Sequence, residues 1–130
     1  MGLTLLVVDD DPDIRSLLSR AAVHRGHVVI QAEDGAQALE KVRTSIPDAV
    51  SLDIQMPRLD GRDVISRLKR DPTTRDIPVV VVTAMDDEYT RELCLEMGAD
   101  DVVDKPFDVN HLIARLEFLV EKRRGPKPKT

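Results

Sequence analysis

Aromatic residues and cysteine are scarce in this chain of 130 residues. It contains one tyrosine, two phenylalanines, no tryptophan and one cysteine, so a disulfide within the chain and a thiolate metal cluster are both excluded. Because there are only three aromatic side chains, a stacking platform for single-stranded nucleic acid is not expected. The core must come from the aliphatic residues that dominate the hydrophobic 42% of the sequence. The single cysteine, Cys94, is expected to be a packed residue on a helix.

Long apolar runs are also missing. No stretch of about 18 consecutive apolar residues occurs, and the amino terminus lacks the charged region that opens a signal peptide. These features predict a cytoplasmic protein without a membrane span. The length is that of a single domain.

Charge is unevenly distributed along the chain. All 24 acidic residues lie in positions 1–121, whereas five of the 19 lysines and arginines lie in the last nine residues. An acidic body disfavours nucleic acid and anionic membranes as partners. The three histidines, His24, His27 and His111, are not spaced with other ligands as in a zinc site, and we expect them to be solvated.

Five short apolar runs rich in β-branched residues alternate with five amphipathic segments. This alternation predicts a (βα)5 arrangement around a parallel sheet. The first, third and fourth runs are apolar almost throughout, so we expect central strands covered by helices on both faces. Right-handed crossovers then favour the strand order 2-1-3-4-5 of a doubly wound, flavodoxin-like α/β fold. The predicted strands are Thr4–Val8, Val28–Ala32, Asp48–Leu52, Ile77–Thr83 and Asp101–Asp104.

Helix boundaries are marked by capping and termination signals. Asp11 is a typical N-cap, Pro12 suits the first helical position, and Gly26 is a stop signal for the first helix. The last helix ends in the cationic turn 122–124, which is followed by glycine and proline. We therefore expect one folded domain over residues 1–122 and a basic tail or linker over 123–130. The tail is too short and too rich in proline to recognise a specific DNA sequence.

Charged and hydroxyl side chains collect at one edge of the predicted sheet. Strand 1 runs into Asp9 and Asp10, and strand 3 runs into Asp53. Strand 4 ends at Thr83, and strand 5 runs into Lys105. Clustered carboxylates repel one another unless a cation is present, and ligands that are all oxygen favour Mg²⁺ over zinc or copper. Together with a lysine and a threonine, this set supports phosphoryl transfer onto an aspartate nucleophile.

Five motifs in this order resemble the receiver domain of two-component response regulators. They are LLVVDDDPDIR, AVSLDIQMPRLDG, VVVVTA, MGADD and DKPF, and the resemblance covers residues 3–122. It implies a phosphorylation-dependent signalling switch in which Asp53 accepts a phosphoryl group from a sensor histidine kinase or a histidine phosphotransfer protein. The expected downstream partner is an effector protein or domain, and a phosphorylation-dependent homodimer is compatible with the resemblance.

The resemblance also implies a metal site. Asp10 would bind Mg²⁺ directly and Asp9 would act chiefly through a water molecule. Asp53 and the backbone carbonyl of Gln55 would supply the other protein ligands.

The remaining site residues would act on the phosphoryl group itself. Lys105 would pair with it, and Thr83 would move towards it. The Lys105–Pro106 bond is expected to be cis, which X-Pro bonds tolerate. We expect the domain to catalyse only its own phosphorylation and dephosphorylation, and not to be an enzyme acting on other substrates.

One position departs from the family pattern. Val102 stands where the family usually has a tyrosine or phenylalanine that turns inward together with the threonine. An output route through that aromatic side chain is therefore not expected. Tyr89 is interpreted as a partly exposed residue of the fourth helix.

Two alternatives remain beside the receiver interpretation. A haloacid-dehalogenase-type phosphatase would use Asp9 as its nucleophile, and Asp9 with Asp11 does form a D-x-D pair. Against it, the acidic pair 100–101 precedes Lys105, and the chain has no room for a substrate-selecting cap. A pseudo-receiver that only binds partners would not need the intact set of acids, threonine and lysine.

Overall fold

A computed structural model describes residues 2–54, 61–84 and 88–124. Within these residues, five strands and five helices alternate, as the sequence predicts. The strands are β1 (Thr4–Val8), β2 (Val28–Ala32), β3 (Ala49–Asp53), β4 (Val79–Thr83) and β5 (Asp101–Asp104). The helices are α1 (Pro12–His24), α2 (Gly35–Ser45), α3 (Gly61–Arg70), α4 (Glu88–Met97) and α5 (Val109–Arg124).

All strand pairs are parallel, and the order is β2-β1-β3-β4-β5. The predicted doubly wound α/β fold is confirmed. Two strands begin later than predicted. β3 starts at Ala49, and the side chain of the preceding Asp48 accepts a hydrogen bond from the Thr4 backbone N–H at 2.7 Å. β4 starts at Val79, because Pro78 has no N–H to donate to a ladder.

The sheet has a core on each face, as its apolar central strands predict. On β1, Leu5 and Val7 face α1 and α5, whereas Leu6 and Val8 face α2, α3 and α4. This alternation follows from the two-residue period of a strand. Cys94 is buried on α4, as predicted. In the described part of the chain, none of the helices is both long enough and apolar enough to cross a membrane.

The first helix begins directly after the acidic residues of β1. The Asp11 side chain accepts a hydrogen bond from the Asp13 backbone N–H at 2.9 Å, and Pro12 occupies the first turn. The helix is followed by Gly26, whose φ of 90° is readily adopted by glycine. The predicted cap and stop are both confirmed. α5 extends to Arg124 and so includes the first two residues of the predicted tail.

The prediction that all three histidines are solvated is wrong for His27. Its ring is buried, with Nδ1 accepting a hydrogen bond from the Leu3 backbone N–H at 3.0 Å. Its Nε2 lies 2.6 Å from Glu117, which also accepts a hydrogen bond from Arg25 Nε at 3.1 Å. No local pattern indicates this cluster, because Glu117 is distant in the chain. His24 and His111 are exposed.

The Glu117 cluster predicts an acid-sensitive contribution to stability. Hydrogen bonds from Arg25 and His27 outweigh partial burial and lower the pKa of Glu117 below its ordinary 4.5. Glu117 therefore contributes stability above about pH 4.5 and loses it as the pH falls through the lowered pKa. Glu117→Gln should cost about 1 kcal/mol at neutral pH and progressively less in acid. Urea denaturation at about pH 7 and pH 3.5 measures this. Glu121→Gln on the same helix is the control. If the free energies of unfolding of the parent and Glu117→Gln differ by the same amount at both pH values, the charge of Glu117 is not the source of the stabilisation.

Candidate active site

The predicted site residues meet at the carboxyl-terminal edge of the sheet. Asp9 directly follows β1, Asp53 ends β3 and Thr83 ends β4. Thr83 is in register with Asp104 of β5, so Lys105 emerges immediately beyond it. This edge includes the reversal of strand order between β1 and β3, where ligands bind in doubly wound sheets.

Three carboxylates form a compact cluster there. Oxygen atoms of Asp9, Asp10 and Asp53 all lie within 4.8 Å of one another. Asp9 and Asp53 are buried, at 2% and 3% exposure, whereas Asp10 is exposed. Two buried carboxylates at this separation repel each other strongly unless positive charge is close.

Lys105 supplies part of that charge. Its Nζ lies 3.2 Å from Asp9 Oδ2 and 3.2 Å from Asp53 Oδ2. Burial acts to lower the pKa of Lys105, but the two carboxylates outweigh it and raise the pKa above its ordinary value. One ammonium against three carboxylates leaves an excess of negative charge. Oxygen ligands with a net negative charge fit a hard divalent cation such as Mg²⁺.

Thr83 is buried and is joined through its backbone to the lysine. The Lys105 N–H donates to the Thr83 carbonyl oxygen at 2.8 Å. The Lys105–Pro106 bond is cis, as the resemblance implied. Gln55, predicted to offer a backbone carbonyl to the metal, lies outside the described residues.

Two supporting interactions of Asp9 were not predicted. Arg15, one turn into α1, donates from Nη1 to the Asp9 carbonyl oxygen at 2.6 Å, and the Asp11 backbone N–H donates to Asp9 Oδ1 at 2.9 Å. The first bond holds the Asp9 backbone, and the second orients its buried carboxylate beside the first turn of α1. Nothing in the spacing distinguishes Arg15 from an ordinary surface arginine.

Gly61 has a second role that the sequence did not reveal. It is the first residue of α3. A Cβ at this position would lie 2.5 Å from Ile54 Cα and 3.0 Å from the Asp53 carbonyl oxygen. The absence of a side chain therefore allows α3 to begin against the backbone that carries Asp53.

Val102 is buried at 5% exposure on the face of the sheet covered by α4. Tyr89 is 73% exposed, so it does not fill the interior in place of an aromatic residue at position 102. The guanidinium of Arg91 on α4 instead contacts β5, donating to the Val102 carbonyl oxygen at 3.0 Å and to Asp104 Oδ2 at 2.9 Å.

The arrangement of acids, lysine and threonine can be compared with known proteins. The family model described as the response regulator receiver domain matches residues 5–117. The chain belongs to the response regulator receiver domain family. Response regulator MprA of Mycobacterium ulcerans is 41% identical over 124 residues, which are 95% of this chain and 53% of that protein. The chain thus spans about half the length of the curated relatives it matches.

Solved structures agree with this assignment. The receiver domain of the Francisella response regulator 1452 has a TM-score of 0.86 and 31% identity, covering 95% of this chain and 99% of that one. A CheY-like receiver domain protein from Methanospirillum hungatei has a TM-score of 0.88, covering 95% of this chain and 98% of that one. Its identity is 19%, so this second likeness supports the fold alone.

Family membership makes the chain a signalling domain of two-component systems. Receiver domains bind Mg²⁺ at an acidic pocket, and the described residues include a cluster of three aspartates, Asp9, Asp10 and Asp53. The phosphatase and pseudo-receiver alternatives are not favoured.

Proposed function

We propose that this receiver domain is switched by phosphorylation of Asp53, with a phosphohistidine on a sensor kinase or phosphotransfer protein as the donor. The observation that carries the proposal is the position of the Asp53 carboxylate. It ends a central strand, lies beside Asp9 and Asp10, and has the Lys105 ammonium at 3.2 Å. We also propose that the domain predicted over residues 1–122, which α5 extends to Arg124, is the signalling unit, and that the rest of the predicted tail 123–130 is a basic linker.

The transfer is a direct displacement at phosphorus. An Asp53 oxygen attacks the phosphorus, the bond from phosphorus to the donor imidazole nitrogen breaks, and the imidazole keeps the electron pair and takes up a proton. The product is an acyl phosphate on Asp53. Lys105 then pairs with a phosphoryl oxygen in place of a carboxylate oxygen, and the Thr83 hydroxyl donates a hydrogen bond to another.

Asp10, Asp9, Asp53 and the Gln55 carbonyl are the residues that would hold Mg²⁺. The bound ion would supply positive charge that offsets the charge on the phosphoryl oxygens. Before the ion binds, Arg15 and the Asp11 backbone N–H hold Asp9 in place through hydrogen bonds to its backbone carbonyl and its carboxylate.

The proposed catalysis is confined to the domain itself. The acceptor is part of the chain, so each phosphorylation is a single event that ends when the acyl phosphate is hydrolysed. The proposed output is a change in the surface offered to an effector protein or domain. A homodimer of the phosphorylated form is the second proposed output. Specific DNA binding is not proposed for this chain.

Incubation with acetyl phosphate and Mg²⁺ tests the proposal. We expect intact-mass spectrometry to show the addition of one phosphate, with no addition when EDTA replaces Mg²⁺, because two buried carboxylates and an incoming anion repel one another without the ion. Hydrolysis of p-nitrophenyl phosphate serves as the comparison. Repeated turnover of that ester, without a phosphorylated protein, would instead support the phosphatase alternative.

A further inference from the structure

A groove runs across the edge of the sheet opposite the acidic cluster, below the amino-terminal ends of β3 and β4. Its first half has a volume of about 350 Å³. The floor of this half is aliphatic and consists of Ile46, Pro47, Ile77, Pro78 and Val120. Two ion pairs border it: Arg123 lies 3.2 Å from Asp76, and Arg124 lies 2.6 Å from Asp48.

Ile46 is the unusual residue of the aliphatic half. It caps α2 in the left-handed region, with φ 43° and ψ 73°. That region is costly for a β-branched residue, and glycine or asparagine adopts it more readily. Burial does not offset the cost, because Ile46 is 51% exposed. A partner that covers the Ile46 side chain would explain why a strained backbone presents an aliphatic group to solvent.

The second half of the groove is cationic. It has a volume of about 390 Å³ and shares Asp76, Pro78 and Arg123 with the first half. Its charged lining comprises five cations, Lys69, Arg75, Arg115, Lys122 and Arg123, and two carboxylates, Asp76 and Asp100. This excess of positive charge stands out in a chain with a net charge of −5.

Two of these cations are available to an external anion. Lys69 lies 3.6 Å from Asp100, Arg123 pairs with Asp76, and Arg115 lies 2.6 Å from Asp101. Within residues 2–54, 61–84 and 88–124, Arg75 and Lys122 have no carboxylate partner, and both are exposed.

We infer that this groove binds a segment of a partner protein in which an aliphatic side chain is followed by two or more carboxylates. The aliphatic side chain packs beside Ile46, and the carboxylates reach Arg75 and Lys122. Nucleic acid is the poorer occupant, because an aliphatic floor and two flanking carboxylates do not suit a continuous phosphate backbone. Binding of the partner at this groove does not depend on phosphorylation, since the groove and Asp53 lie at opposite ends of the strands.

Selection from a phage-displayed random peptide library tests the inference. The full chain is the target, and the uncoated support removes peptides that bind the matrix. We expect recovered peptides to combine a leucine or isoleucine with neighbouring acidic residues. Their affinity should fall at least about tenfold in the double variant Arg75→Glu/Lys122→Glu, because like charges would then face each other. Arg20→Glu, a charge reversal at an exposed position on α1, should bind as the parent does.

A second variant separates binding from a purely structural role. Ile46→Asn should raise the melting temperature by relieving strain, and it should weaken peptide binding by removing the aliphatic contact. Enrichment of peptides without acidic residues, equal binding by the double variant, or tighter binding of a DNA duplex than of the peptides would overturn the inference. Both variants should accept phosphate from acetyl phosphate as the parent does, so failure here is distinguishable from failure of the proposed switch.

Discussion

Replacing Lys105 with alanine should lower the free energy of unfolding of the metal-free protein by about 2–3 kcal/mol at neutral pH. The change leaves Asp9 and Asp53 buried side by side without the ammonium that lies 3.2 Å from each. Removing one member of a fully buried ion pair typically costs about 3–5 kcal/mol. We expect less here, because the Lys105 side chain is 21% exposed.

Chemical denaturation in EDTA, with Lys122→Ala as an exposed control, measures this loss. Mg²⁺ should restore part of the lost stability in Lys105→Ala, because the ion neutralises the charge of the same carboxylates. The pKa of Lys105 is raised above 10.5, so its contribution is complete below that pH and disappears as the pH rises through the raised pKa. The difference in free energy of unfolding between the parent and Lys105→Ala should therefore become smaller only in strong alkali. A loss no larger than that of Lys122→Ala would show that Lys105 does not neutralise the cluster.

Replacing Asp10 with alanine should remove the stabilisation that Mg²⁺ gives the parent. A ligand that binds only the native state adds about 2.7 kcal/mol at 100 times its dissociation constant. Asp10 is the exposed member of the carboxylate cluster and is the proposed direct ligand. Its removal should also leave the metal-free protein as stable as the parent or more so, because repulsion with Asp9 and Asp53 is relieved.

Thermal unfolding with and without Mg²⁺ tests the role of Asp10. Asp11→Asn is the matched control, since asparagine keeps the N-cap of α1 and removes a neighbouring charge outside the cluster. We expect the control to retain the full shift with Mg²⁺. If Asp10→Ala also retains it, the ion is bound elsewhere.

The strand order and the position of the acidic cluster could be predicted because both depend on local patterns. Nearly continuous apolar runs marked β1, β3 and β4 as central strands, and the functional side chains follow directly at their ends. Parallel pairing then brings those ends to one edge, whatever the details of packing. The cap at Asp11 was predictable for the same reason, since its hydrogen bond reaches only to Asp13.

What the sequence concealed depends on contacts between distant segments. His27 is buried because Glu117 and the Leu3 backbone satisfy its ring nitrogens, and no local pattern indicates either partner. The contact of Gly61 with the backbone of Ile54 likewise follows from how α3 packs beneath β3. The conformation of Ile46 could not be foreseen, because isoleucine is a residue that this backbone geometry disfavours.

The most direct test locates the phosphoryl group on the chain. Borohydride reduces an aspartyl phosphate to homoserine, so peptide mapping after phosphorylation with acetyl phosphate and Mg²⁺ identifies the acceptor. We predict homoserine at position 53 in the parent and no homoserine in Asp53→Asn. Homoserine at position 9, or undiminished labelling of Asp53→Asn, would contradict the assignment of Asp53 as the phosphoryl acceptor.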